Sequence, residues 1–194
     1  MPRPSRKTER RHEILLAYER CLGQFGVDGT TLERVAEEAG LARALIRHNV
    51  GNKEDLLDAF VDNFLARSNA SGKAFIDSLP TIDPVAAMLH GLFDPAYSDP
   101  HSVNVTTALL IAASDRPLLA RRLRKWTADF TDSIASVLQQ AHAVANSETI
   151  EVVATGISAI YFHFDSMAPI GDRNTLQERS LRAAERLAGT LPRR

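Results

Sequence analysis

Residues 30–57 read TTLERVAEEAGLARALIRHNVGNKEDLL. Thr30 followed by Glu33 is a capping-box pattern, in which hydroxyl and carboxylate satisfy backbone N–H groups reciprocally, and it predicts a helix opening there. Leu32, Val35, Ala36 and Ala39 supply that helix with an inner stripe, and Gly40 turns the chain. Leu41 is placed to plug the junction, and residues 43–48 form a second short helix. Asn52 caps the next one, with Lys53, Glu54 and Asp55 in its first turn and Leu56, Leu57, Phe60, Val61, Phe64 and Leu65 as its stripe. Two short helices joined by a glycine turn are the layout of a helix-turn-helix, whose second helix is shaped to enter a DNA major groove.

Upstream of this stretch, apolar residues at 14, 15, 18, 21, 22 and 25 give an amphipathic helix from Glu9 to Phe25, with Gly26 as its stop. Downstream of Ser71, helical patterns recur over 84–94, 102–113, 116–142, 148–167 and 175–190, separated by Pro- and Asp-rich breaks. Pro117 lies near the start of its helix, where a missing N–H costs nothing. Strand-like alternation with hairpin turns is absent from the sequence, and so are internal repeats. The expected class is all-α: an N-terminal three-helix helix-turn-helix domain, preceded by an arm, over residues 1–52, and a larger C-terminal helical bundle domain over 53–194 that begins with a linking helix.

The chain has 194 residues, 44% hydrophobic and 24% charged, an ordinary balance for a globular protein. Its apolar runs, such as Val152–Ile160, are broken by Thr155, Gly156 and Ser158. None approaches the roughly 20 residues of a membrane span. MPRPSRKTERRHEI lacks the apolar core and cleavage site of a secretory signal, so a cytoplasmic protein with no membrane partner is expected. A single cysteine, Cys21, excludes an intramolecular disulfide and a cysteine-based zinc site. Gly-rich phosphate loop, nucleophile elbow and histidine cluster at metal spacing are all missing from the sequence, which argues against an enzyme, a metal site and a cofactor.

Net charge is −1, and its distribution says more than its sum. Arg3, Arg6, Lys7, Arg10 and Arg11 crowd the N-terminus against the single acid Glu9. Residues 42–53 hold Arg43, Arg47, His48 and Lys53 with no acid. Positive charge thus lies where phosphates would lie. In the second helix of such a module the outward positions are Arg43, Ala44, Arg47 and His48, while Leu41, Leu45 and Ile46 are expected to pack. Arg43 is the expected base reader, because a guanidinium can bond guanine O6 and N7 together. Arg47, His48, Lys53 and the Thr30–Thr31 end of the preceding helix suit phosphate. Arg6 and Lys7 belong to an arm expected to follow the backbone or a minor groove. The bland alternative is that each arginine solvates a helix face.

From Ile14 to about Leu57 the chain resembles the TetR family of bacterial transcriptional regulators. The likeness rests on a first helix ending Phe25-Gly26, then Thr30-Thr31, Val35-Ala36, Ala39-Gly40-Leu41, Lys53 and Leu56-Leu57. ALIRHNVGNKEDLLDA is also similar to the betaine-regulator branch of that family. The family usually has Ser or Thr where Ala42 stands, which removes an expected cap from the recognition helix. It usually has Tyr near Arg47 and aromatics at Asn49 and Val50. Arginine at 47 can still hold a phosphate, and Asn49 can supply a base or backbone contact, so the departures imply a shifted operator preference.

The resemblance implies a homodimer on palindromic double-stranded DNA, made by the last two helices as an intersubunit four-helix bundle. Helix 148–167 is apolar nearly all round and carries small residues, which suits that role. Val152, Gly156, Ala159, His163, Leu181, Ala184 and Leu187 are the expected interface positions. The resemblance also implies a small-molecule effector held in the second domain, where Leu92, Phe93, Tyr97, Trp126, Phe130, Tyr161, His163 and Phe164 are candidate lining residues. These aromatics suit an apolar ligand or a quaternary amine. Core filling uses the same residue types and stands as the alternative. The expected function is a repressor released by a small molecule. A DNA-binding activator, or an architectural or partner-controlled protein without such a switch, remains open.

Overall fold

Apolar residues recur at helical spacing along the whole chain, and the computed structural model is helical accordingly, with no strand among the described residues. It describes residues 6–97, 99–170 and 173–192. The side chains of Arg6 and Tyr97 lie outside the described residues, so the contacts expected of them do too. The helices are α1 (Arg6–Gly29), α2 (Leu32–Ala39), α3 (Arg43–Val50), α4 (Lys53–Asp77), α5 (Pro84–Leu92), α6 (Pro100–Ala112), α7 (Pro117–Ala141), α8 (Ser147–Ser166) and α9 (Arg173–Ala188). Prolines open α5, α6 and α7, where the ring's fixed φ suits the first turn. Asn146 caps α8 by accepting a 2.7 Å bond from the Thr149 N–H.

Two compact units emerge, one of Met1–Arg67 with Asn104–Ala120 and one of Ser68–Val103 with Arg121–Arg194. The boundary expected at residue 52 is a different division of the chain, by role rather than by compactness. Early α4 belongs with α1: Leu56, Phe60 and Val61 are buried there, and the Tyr18 and Phe60 rings meet edge to face at 5.4 Å.

In the first unit α1 packs on α2 and α3, and α2 on α3. Gly26 does interrupt α1, with φ 68 and ψ 177, but helix resumes after the kink and runs to Gly29. The capping residue of α2 is Thr31 rather than Thr30. Thr31 accepts the Arg34 N–H at 3.3 Å, whereas Thr30 is buried and its hydroxyl donates to the Gly26 carbonyl at 2.7 Å. The kink frees that carbonyl and so draws Thr30 inward. In the second unit α9 packs on α8 and α5 around Met88, Leu89, Phe93, Ile134, Ile157 and Phe164.

Candidate nucleic-acid interface

The turn into α3 is built by Gly40, whose left-handed conformation (φ 64, ψ 33) lets Leu41 N–H reach the Ala36 carbonyl at 2.9 Å. Ala42 precedes α3 in an extended conformation and makes no side-chain cap, as its methyl group dictates. The helix is held from behind by Ile46, fully buried, and Val50, one turn later. Leu45, expected to pack, is instead 40% exposed. A helix of eight residues anchored along the 46/50 line turns position 45 about 100° away from it. The outward face therefore holds Arg43, Ala44, Leu45, Arg47 and His48. Asn49 spends its amide on the Leu45 carbonyl at 2.8 Å.

Gly51 closes α3 with φ 88, and a Cβ there would overlap the Asp55 carboxylate. That carboxylate accepts the Asn52 N–H at 2.9 Å while the Asn52 side chain accepts the Asp55 N–H at 2.9 Å, a reciprocal cap that starts α4. Lys53, in the same turn, donates to the Asp28 carbonyl at 2.9 Å and thereby ties α4 to the end of α1.

The basic residues fall into two groups. Arg47 and His48 are exposed and make no side-chain hydrogen bond or ion pair among the described residues. Arg43 is exposed too, but its Nε lies 2.8 Å from Glu33 Oε1 on α2. The Glu33 carboxyl is held below the usual carboxylate range by its own backbone N–H, with further help from the Thr31 hydroxyl and Arg43. Thr31 and Lys7 are exposed; Thr30 is not, so its hydroxyl serves the α1–α2 turn rather than a phosphate. Arg34 goes unnoticed in the sequence reading. It donates to the Gly29 carbonyl and lies 4.4 Å over the Phe25 ring, a spacing the i and i+9 positions do not advertise.

The residues expected to line an effector pocket form an aromatic layer packed ring on ring. Phe93 meets Phe164 at 5.6 Å and Tyr161 at 6.3 Å, and Phe130 meets Tyr161 at 5.0 Å. Phe162, not singled out from sequence, joins Phe130 at 5.3 Å and Trp126 at 6.2 Å. Trp126 donates its indole N–H to Ser68 at 2.9 Å. Leu92 is half-buried against this core. Burial, and secondarily Asp165, pushes the Tyr161 phenol up to about 12. His163 does not join the layer: it is exposed on the opposite side of α8. An open cleft of about 890 Å³ lies elsewhere in this unit, where Leu79, Val85 and Ala188 meet Asp83, His142 and Glu185.

Of the expected dimer positions, Val152 (65% exposed), Ala159 and His163 form an open stripe along α8. Gly156, Leu181 and Leu187 are half-buried within their own chain, and a Cβ on Gly156 would overlap Leu187 of α9. Ala184 is fully buried in its own core and is not an interface residue. It lies on the inward stripe of α9 with Ser180 and Ala188.

Among the described residues no helix is long and apolar enough to cross a membrane, and no group of three or more His, Cys, Asp or Glu is placed to hold a metal ion. Residues 14–60 match the family described as bacterial regulatory proteins, tetR family. The HTH-type transcriptional repressor AcnR of Corynebacterium glutamicum is 38% identical over 71 residues, which cover 37% of this chain and 35% of that protein, so the match spans about a third of that relative. The HTH-type transcriptional regulator BetI of Brucella suis is 25% identical over 174 residues, covering 89% of this chain and 88% of that one. The solved structure of a transcriptional regulator from Saccharomonospora viridis in complex with choline shares the fold. Its TM-score is 0.75 at 16% identity, covering 92% of this chain and 94% of that one. These relatives are transcriptional regulators, not enzymes. With its helix-turn-helix in place, residues 14–60 of the chain match the tetR family of bacterial regulatory proteins, and the chain is similar to transcriptional regulators.

Proposed function

We propose that this regulator is a cytoplasmic repressor that binds a palindromic operator as a homodimer and is released by a small-molecule effector. The observation that carries the DNA-binding part is the outward face of α3, where Arg43, Arg47 and His48 stand exposed on a helix anchored only from behind. Arg43 reads a guanine in the major groove, and Arg47, His48, Lys53 and the Thr31 hydroxyl hold phosphates. Lys7, with Arg6, extends the phosphate contacts from the start of α1. The exposed α8 stripe of Val152, Ala159 and His163 supports a two-fold contact with a second copy. Residues 1–52 then act as the DNA-binding domain and 53–194 as the effector-binding and dimerisation domain.

An effector shifts this system only as far as it prefers the conformation that does not fit the operator. Choline bound to a neighbour of the same fold, and the BetI likeness, make a quaternary amine the first ligand to try. Fluorescence anisotropy on the DNA upstream of the coding region, with nonspecific competitor and increasing salt, tests the core of the reading. Binding of two protomers to a short palindrome that survives competitor supports it; no sequence preference at any salt concentration overturns it.

A second reading has one observation in its favour. The aromatic residues expected to surround an effector are packed against one another, as a filled core would be. On that reading the protein is an activator or a partner-controlled regulator without a small-molecule switch. A thermal-shift screen that includes choline separates the two, since a ligand at 100 times its Kd adds ~2.7 kcal/mol of stability.

A further inference from the structure

We infer that Glu33 is a specificity-positioning residue: it grips the Nε edge of Arg43 and leaves the paired terminal amino groups of the guanidinium free to face guanine. This rests on the reading of Arg43 as the base contact. Arg43 sits in the first turn of α3 and Glu33 in the first turn of α2, so the two come together only through the glycine turn between them. The Arg43 Nε lies 2.8 Å from Glu33 Oε1. A guanidinium presents its donors as a planar fork. Occupying one side of that fork by a carboxylate orients the remaining Nη1–Nη2 pair, which is the pair that matches guanine O6 and N7.

The arrangement has a second consequence. An unheld arginine at this position can turn to any phosphate within reach, which adds affinity without sequence information. Glu33 opposes that in two ways, by engaging the guanidinium and by placing a negative charge beside the DNA backbone. Arg47 and His48 have no such partner among the described residues, so the restraint is specific to the residue assigned to base reading.

The experiment uses the full-length protein and an operator selected from a random duplex pool by the wild type. Each single-base-pair variant of that operator is then titrated against wild type, Glu33→Ala, Glu33→Gln, Arg43→Ala and the double variant. The expected result is that Glu33→Ala lowers discrimination roughly two- to fivefold at the one base pair where Arg43→Ala abolishes it, while tightening binding to nonspecific duplex. Glu33→Gln, which keeps the acceptor oxygen and loses the charge, restores most of the discrimination but not the nonspecific weakness. The double variant discriminates no worse than Arg43→Ala. If Arg43→Ala removes discrimination and Glu33→Ala leaves it intact, the positioning role is wrong and the base-reading role stands. If Arg43→Ala changes no base preference, the base-reading role itself fails and the inference with it.

Discussion

The recognition helix and the aromatic layer around Phe93 both concentrate large side chains, yet they are held in opposite ways. α3 has two buried anchors, Ile46 and Val50, and leaves five successive-turn positions to solvent. In the aromatic layer Phe93 and Phe164 are almost wholly buried, and each ring finds its partner in another ring. A surface that touches DNA has to be exposed before binding, and a short helix with a narrow apolar stripe achieves this without further design. A ligand pocket, by contrast, needs the same residue types as a core and differs only in how closely they meet. The first kind of site follows from a pattern along the chain; the second follows from packing distances between helices.

The comparison breaks most visibly at Phe164. If the aromatic layer is a filled core, Phe164→Ala destabilises the protein by ~3–5 kcal/mol in denaturant unfolding. A loss below ~1 kcal/mol means that the layer is loosely packed and open to a ligand. On the DNA side, Ile46→Ala costs ~2–5 kcal/mol, whereas Leu45→Ala stays within about 0.5 kcal/mol because half-exposed positions lose little on truncation. Comparable losses at 45 and 46 contradict the assignment of faces on α3.

Smaller effects sharpen the roles of individual cations. Arg43→Ala removes ~1–3 kcal/mol of preference at one base pair. Lys53→Ala weakens all sequences alike and lowers the slope of log affinity against log salt by about 0.9. Identical effects on sequence preference sink that division of labour.

The smallest effects concern two buried phenols. The Tyr18 hydroxyl is buried with no hydrogen-bond partner among the described residues, so Tyr18→Phe leaves stability within about 1 kcal/mol of wild type or raises it. Burial pushes the Tyr18 phenol above its ordinary value and Tyr161 up to about 12. For both, the folded state holds its proton more firmly than the unfolded chain, whose phenol titrates near 10. Their stability contribution is therefore complete below about pH 10 and falls as pH rises through the folded values. Tyr161→Phe is expected to flatten the loss of stability between about pH 10 and 12 in pH-resolved melting curves. An unchanged slope means that Tyr161 titrates as an exposed phenol.

Much of the first unit is legible along the chain because its determinants are local. Gly40, Gly51 and the Asn52–Asp55 cap act within one turn of their own position. The errors there are also local in scale. The cap of α2 shifts by one residue because Thr30 hydrogen-bonds the carbonyl that the Gly26 kink leaves open, and Leu45 leaves the packed face because Ile46 and Val50 define it. In the second unit the misplacements are of a different kind. Ala184 and Gly156 are among the expected partner-facing positions; Ala184 is buried within its own core, and Gly156 lies where a Cβ would overlap Leu187 of α9. His163 reads as a pocket residue and stands outside, since on a helix it is turned about 200° from Tyr161, two residues before it, and about 100° from Phe164, the next residue.

The amino-acid sequence by itself determined that the chain is helical, where most of its helices begin and end to within a few residues (the run of α4 to Asp77, well past the Leu65 end of its stripe, excepted), and that a helix-turn-helix with an acid-free basic stretch lies near its start. Each of these depends on residues within a turn or two of one another, so spacing is enough. Tertiary structure alone decided that Arg43 is held by Glu33, that the aromatic side chains close on one another, and which small residues face inward. Those outcomes depend on distances between segments far apart in the chain, which periodicity along one helix does not encode.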